Sequence, residues 1–104
     1  ADENIAKFEK AYKKAEELNQ GELMGRALYN IGLEKNKMGK AREAAEYFFR
    51  AAIVFYKEHD TDGLRRAAKS LKEAITAIPE EEGRKEAKEM AKKAEEWLQA
   101  EQNN

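Results

Sequence analysis

The sequence predicts an all-α protein of five antiparallel helices, arranged as right-handed stacked helical hairpins. Apolar residues recur at spacings of three and four along nearly the whole chain, and no stretch alternates apolar and polar residues at the strand period. Turn signals near Gly21, Gly39, Asp60 to Gly63 and Pro79 divide the chain into segments of helical length. Connections this short make consecutive helices antiparallel neighbours. The spacing predicts helices over 2–19, 22–38, 41–59, 62–77 and 80–101.

The first segment carries Ile5, Phe8, Tyr12, Ala15 and Leu18 on one stripe and stops near Asn19-Gln20-Gly21. In the second, Met24, Leu28, Ile31 and Met38 form the stripe, Lys35 interrupts it, and Gly39 provides the left-handed residue that follows a helix C-terminus. The third has two stripes, Ala44, Tyr47, Phe48, Ala51 and Phe55 beside Ala45, Phe49, Ala52, Ile53 and Tyr56. A helix apolar on two faces must be covered from two sides, so this one is central. The fourth carries Leu64, Ala67, Ala68, Leu71, Ile75 and Ile78, with Thr61 or Asp62 available as its N-cap. Pro79 followed by Glu80, Glu81 and Glu82 reads as the start of the fifth, with proline at the first helical position and acids at the positive end of the dipole. Its stripe is Ala87, Met90, Ala91, Ala94, Trp97 and Leu98. Glu81/Lys85, Lys85/Glu89 and Glu89/Lys93 lie four apart on the solvated side, and residues 101–104 are expected to fray.

A length of 104 residues supports one domain, 1–104. There is no Cys, hence neither a disulfide framework nor a thiolate metal site. Twenty Lys plus Arg against 21 Asp plus Glu leave a net charge of -1, without the basic excess that draws a domain to nucleic acid or an anionic membrane. No apolar run approaches the ~18 residues of a membrane span, and no charged-then-apolar leader pattern opens the sequence.

Within this array, Leu28-Tyr29-Asn30-Ile31-Gly32, then Gly39, then Ala44, Phe48 and Ala51 resemble the tetratricopeptide repeat, a helix pair of about 34 residues. The resemblance covers 25–58. It implies half-repeats at 2–21 and 62–78, with Tyr12 and Ala15 in the places of Phe48 and Ala51, and a capping helix at 80–101. The stretch from Ala15 through Met24-Gly25-Arg26-Ala27-Leu28 to Gly32 is similar to bacterial quorum-peptide regulators and response-regulator phosphatases built on such repeats. Two positions depart from the repeat, Lys35 and Ala41, where it prefers aromatics. Lys35 is expected to lay its methylenes over Leu28 or Met38 and leave its ammonium in water.

The constellations that could carry chemistry have plainer readings. Glu58, Asp60, Asp62 and Gly63 imitate the opening of a calcium loop, but Lys69 stands where the closing Glu is needed and Arg65 and Arg66 add positive charge. His59, the sole histidine, is expected in the last turn of the third helix, where its charge complements the dipole, and it has no partner at metal spacing. Glu80, Glu81 and Glu82 lack the burial that separates the pKa values of catalytic carboxylates. Arg65, Arg66, Lys69 and Lys72 form a strip too narrow for nucleic acid. No catalytic, metal or cofactor site is visible, and no cofactor is expected.

The repeat resemblance implies a peptide-binding inner groove made by Arg26, Tyr29, Asn30, Leu33, Asn36 and Lys37, continued by Arg66, Lys69, Ser70 and Glu73. Asn30, two residues before Gly32, takes the place of the Asn that donates to the peptide in family members that grip a peptide carboxylate, and Arg66 fits a basic place on the next helix. Fewer than two whole repeats give such a groove little concavity. The fifth helix has no repeat signature, and its Glu/Lys/Ala composition and charge spacing look like an idealised helix chosen for propensity and solubility. The chain therefore reads as a designed, monomeric helical scaffold that is not an enzyme and requires no partner. A module that binds short peptides or peptide C-termini is the alternative.

Overall fold

The computed structural model describes residues 2–103, which form α1 (Asp2–Glu17), α2 (Gly21–Lys37), α3 (Ala41–Lys57), α4 (Thr61–Ile75) and α5 (Glu81–Gln102), with no strand among the described residues. Each helix packs on the next. α3 also lies along α5, and α2 touches α4, whereas the backbone of α1 approaches α2 alone. α3 is thus the central helix, and its Ala44, Ala45, Phe48, Ala51, Ala52 and Phe55 are buried.

The first three turns are built alike. Asn19, Gly39 and His59 adopt the left-handed conformation at φ 55, 77 and 58°. In each turn the next amide reaches back five residues, Gln20 to Ala15, Lys40 to Lys35 and Asp60 to Phe55, at 2.8 to 3.0 Å. The left-handed residue itself donates to the carbonyl three back. This pair of bonds closes the last carbonyls of a helix while reversing the chain. Helices consequently begin at Gly21, Ala41 and Thr61, and α5 keeps the same 20-residue interval at Glu81 after a joint of another kind. A hairpin recurs every 40 residues rather than the 34 of the repeat signature, so Phe8 and Ala11, not Tyr12 and Ala15, take the places of Phe48 and Ala51 in α1.

Close approach of α2, α3 and α4 depends on glycine. A Cβ on Gly32 would fall 2.6 Å from Cε1 of Phe48, and one on Gly25 or Gly63 would fall 2.6 Å from the ring of Phe55. Phe48 and Phe55 of α3 therefore fill hollows that only glycine leaves open. On the other face of α3, the Trp97 indole stacks on Phe49 and on Tyr56, with centroids 5.6 and 5.1 Å away. α5 thus supplies the cover that the second stripe of α3 requires.

Several local expectations are corrected. Leu18 is 54% exposed, because α1 ends at Glu17 and places it in the turn. The N-cap of α4 is Asp60, not Thr61 or Asp62, and its carboxylate accepts the Gly63 amide at 2.9 Å. Pro79 lies outside α5, which starts at Glu81 after an extended Glu80. There the Arg84 guanidinium donates to the carbonyls of Ile78 and Pro79 at 2.8 and 2.7 Å, tying the connection between α4 and α5 to the first turn of α5. Glu101 and Gln102 are helical rather than frayed, and Glu101 pairs with His59 Nδ1 at 3.2 Å. Asn104 lies outside the described residues. The i,i+4 pairs on α5 do not close to ion-pair distance; instead Glu86 meets Arg42 at 3.0 Å and Glu95 meets Lys72, joining α5 to α3 and α4.

Candidate functional site

Arg26, Tyr29 and Asn30 lie within about one turn of α2 and so share a face. Because α2 touches α4, that face meets Arg66, and the four residues line an open hollow of about 310 Å³ with Phe55. The Tyr29 hydroxyl hydrogen-bonds the Ser70 hydroxyl at 2.8 Å, which ties α2 to α4. Arg26 and Arg66 are exposed and have no carboxylate at ion-pair distance among the described residues, so the hollow has a cationic rim. Its chemistry suits an anion or a hydrogen-bonding backbone.

Leu33, Asn36 and Lys37 do not join that hollow. They lie farther along α2 and are exposed, and Lys37 turns to Glu34 at 3.6 Å. Glu34, which the sequence reading passed over, is 7% exposed and accepts from Asn4 Nδ2 at 3.1 Å, pinning the start of α1 to the end of α2. Helical spacing places it on the α1 side of α2, a signal that was present.

Lys35 does not simply extend into water. Its ammonium meets the Glu43 carboxylate at 3.0 Å across the turn between α2 and α3, and its side chain is largely covered. The hydrogen bond to Glu43 raises the Lys35 pKa above the ordinary 10.5, against the desolvation that lowers it; Glu43, Tyr47 and Glu9 add attraction. The same hydrogen bond lowers Glu43 below the ordinary 4.5.

The other polar clusters are committed to structure. Asp60 caps α4, and Asp62 accepts from Arg65 at 2.9 Å. His59 is not in the last turn of α3 but beyond it, in the left-handed position, with Glu101 as its neighbour. Glu80, Glu81 and Glu82 are exposed, and Lys72 is drawn to Glu95. Arg50, absent from the sequence reading, lies over the rings of Tyr47 and Tyr12, 4.9 and 5.7 Å from their centroids. Among the described residues no group of three or more His, Cys, Asp or Glu side chains is placed to hold a metal, and no helix is long and apolar enough to cross a membrane.

No protein-family model and no curated protein matches the chain. Among solved structures, it is similar to the solution NMR structure of a designed protein, DA05, at 86% identity and a TM-score of 0.68, over 70% of this chain and 73% of that one. The chain belongs to a family of designed helical proteins. It is a designed helical scaffold without a natural biochemical function. The match supports that origin and not descent from quorum-peptide regulators. Three like turns and helices begun at one interval suit such an origin, since idealised backbones reuse a connection that closes without strain.

Proposed function

We propose that this chain acts as a self-sufficient scaffold: a monomeric stack of hairpins of the tetratricopeptide type over 25–58, with half-repeats before and after it and α5 as its cap. It is no enzyme and needs no ligand to fold. The observation that supports this reading is the docking of α5. Its Trp97 takes up the second aromatic stripe of α3, the face that would otherwise seek a partner. Sedimentation of the chain at micromolar concentration tests it. The monomer mass is expected, and twice that mass would show that the scaffold is incomplete alone.

One observation favours a second reading, binding of a peptide C-terminus. α5 lies against α3 and α4 and makes no backbone approach to α2, so the hollow of Arg26, Tyr29, Asn30 and Arg66 stays open. Two unpaired guanidinium groups and a half-buried amide are a fitting donor set for a carboxylate. Calorimetric titration with acidic C-terminal peptides at low salt tests it, since screening is then weakest. A micromolar complex lost in Asn30→Ala and Arg66→Ala would establish the peptide reading over the inert scaffold.

A further inference from the structure

We infer that the groove between α1 and α2 is a vacant helix seat that takes an acidic amphipathic helix from a partner, with two glycines seven residues apart flanking an aromatic. The inference goes beyond the scaffold reading and rests on the 40-residue recurrence of the hairpin. Displacing α3 and α4 by 40 positions superposes their registers on α1 and α2, because the turns at Asn19 and His59 are alike. The apolar hollow between α1 and α2, about 400 Å³, is lined by Phe8, Ala11, Ala15, Leu23, Ala27 and Asn30 among others. Forty residues on, these positions are Phe48, Ala51, Phe55, Gly63, Ala67 and Ser70. They include the contacts α3 and α4 make with α2: Phe48 on Gly32 and Tyr29, Phe55 on Gly25, and the Ser70 hydroxyl on that of Tyr29.

One pair exchanges size between the two seats. Where the filled seat pairs Phe55 with Gly63, the vacant one pairs Ala15 with Leu23, a large-for-small exchange across the same contact. The exposure of the two seats differs accordingly. Leu23 is 46% exposed and Ala11 is exposed, whereas Gly63 and Ala51 at the equivalent places are buried. The occupant's face follows from what fills the other seat, namely Gly25, Tyr29 and Gly32 of α2.

Its charge follows from the rim. Lys7 and Lys14 replace Tyr47 and Val54, and Arg26 flanks the same hollow, with Lys10 and Lys13 adjacent on α1. None of these five has a carboxylate at ion-pair distance among the described residues. Lys7, Lys14 and Arg26 are the only charged residues lining the apolar hollow, and Glu17 is the one acid beside the adjoining Lys10 and Lys13, a cationic excess that selects an acidic helix over a neutral one.

The test uses the whole chain and a labelled, end-capped peptide of residues 21–38 carrying Arg26→Glu, which sets a carboxylate against Arg26 of the protein. Fluorescence anisotropy is expected to show saturable binding, with a gain of helix by circular dichroism. A peptide that also carries Gly32→Leu should not bind, because its side chain would collide with Phe8 as a Cβ there would collide with Phe48. In the protein, Ala11→Glu should abolish binding. Lys7→Glu with Lys14→Glu should weaken it about fivefold, the scale of one or two surface ion pairs. All of these positions are exposed, so unchanged thermal unfolding of the variants would show that the fold survives. Arg66→Ala should leave binding intact; its loss would move the peptide to the carboxylate hollow and overturn the inference. Absence of binding, equal binding of the Gly32→Leu peptide, or attachment to anionic phosphatidylglycerol vesicles that the peptide does not displace would also overturn it.

Discussion

Replacing Gly32 by Ala has an effect whose sign depends on Phe48. In an ordinary helix interior the change is favourable by about 1 kcal/mol, because Ala loses less backbone entropy than Gly. Here the added Cβ falls 2.6 Å from Cε1 and 2.7 Å from Cδ1 of a ring that is 1% exposed, so the ring or the helix must shift. Overpacking of this kind costs about 1 to 3 kcal/mol, which outweighs the propensity gain or cancels it. Phe48→Ala alone removes a buried ring and costs about 3 to 5 kcal/mol. In that background nothing stands against the new Cβ, and Gly32→Ala becomes stabilising by about 1 kcal/mol. Urea unfolding of the wild type, both single variants and the double variant gives the coupling, expected at about 1 to 3 kcal/mol. If Gly32→Ala stabilises both backgrounds equally, Phe48 does not rest on Gly32 and the assigned packing of α2 on α3 fails. An unchanged midpoint for Phe48→Ala would refute the assigned face of α3.

Three further outcomes follow from the local geometry. Asp60→Ala should cost about 0.5 to 2 kcal/mol in urea unfolding, because it removes the one side chain that accepts from the first turn of α4, while Thr61→Ala should stay near neutral. Arg84→Ala should cost about 1 kcal/mol and speed amide exchange at the joint between α4 and α5, since two carbonyls lose a charged donor. The Lys35–Glu43 pair should make stability depend on pH at both ends. Glu43 is depressed in the fold, so its contribution is present above the ordinary 4.5 and is lost as pH falls through the lower folded value; Lys35 is raised, so its contribution is full below 10.5 and is lost as pH rises through the higher folded value. Glu43 is half exposed and screened, which limits the pair to about 1 kcal/mol or less. Glu43→Gln should flatten this part of both limbs in stability measured against pH, and an unchanged profile would show that the pair does not form in solution.

The helical class and the central place of α3 were legible because a double apolar stripe has one packing solution, burial on both sides. The position of α5 was not. Its stripe announces a buried face but not which aromatic residues receive it, and only the fold brings Trp97 to Phe49 and Tyr56. The cap of α4 was ambiguous because Asp60, Thr61 and Asp62 can all cap, and the choice is made by the left-handed turn at His59. Lys35 was misread because its partner lies eight residues on, across that kind of turn, where helix spacing rules do not reach. The hairpin register follows the turn positions Asn19, Gly39 and His59, 20 apart in the sequence, and not the 34-residue spacing that the repeat signature implies. Of the candidate site, Arg26, Tyr29 and Asn30 share a face as helical spacing implies, and the contact of α2 with α4 brings Arg66 to them. Leu33, Asn36 and Lys37 drift from the hollow because α2 touches α4 through only a small part of its length.

The central claim is that this chain completes its own core, with α5 closing the second face of α3. Nuclear Overhauser contacts between the Trp97 indole and the rings of Phe49 and Tyr56, recorded on uniformly labelled protein at a concentration where rotational diffusion reports a monomer, test it directly. Contacts from Trp97 to both rings are predicted, as both lie within 6 Å of it by centroid. Their absence in the monomer, or their appearance only between differently labelled chains, would contradict it.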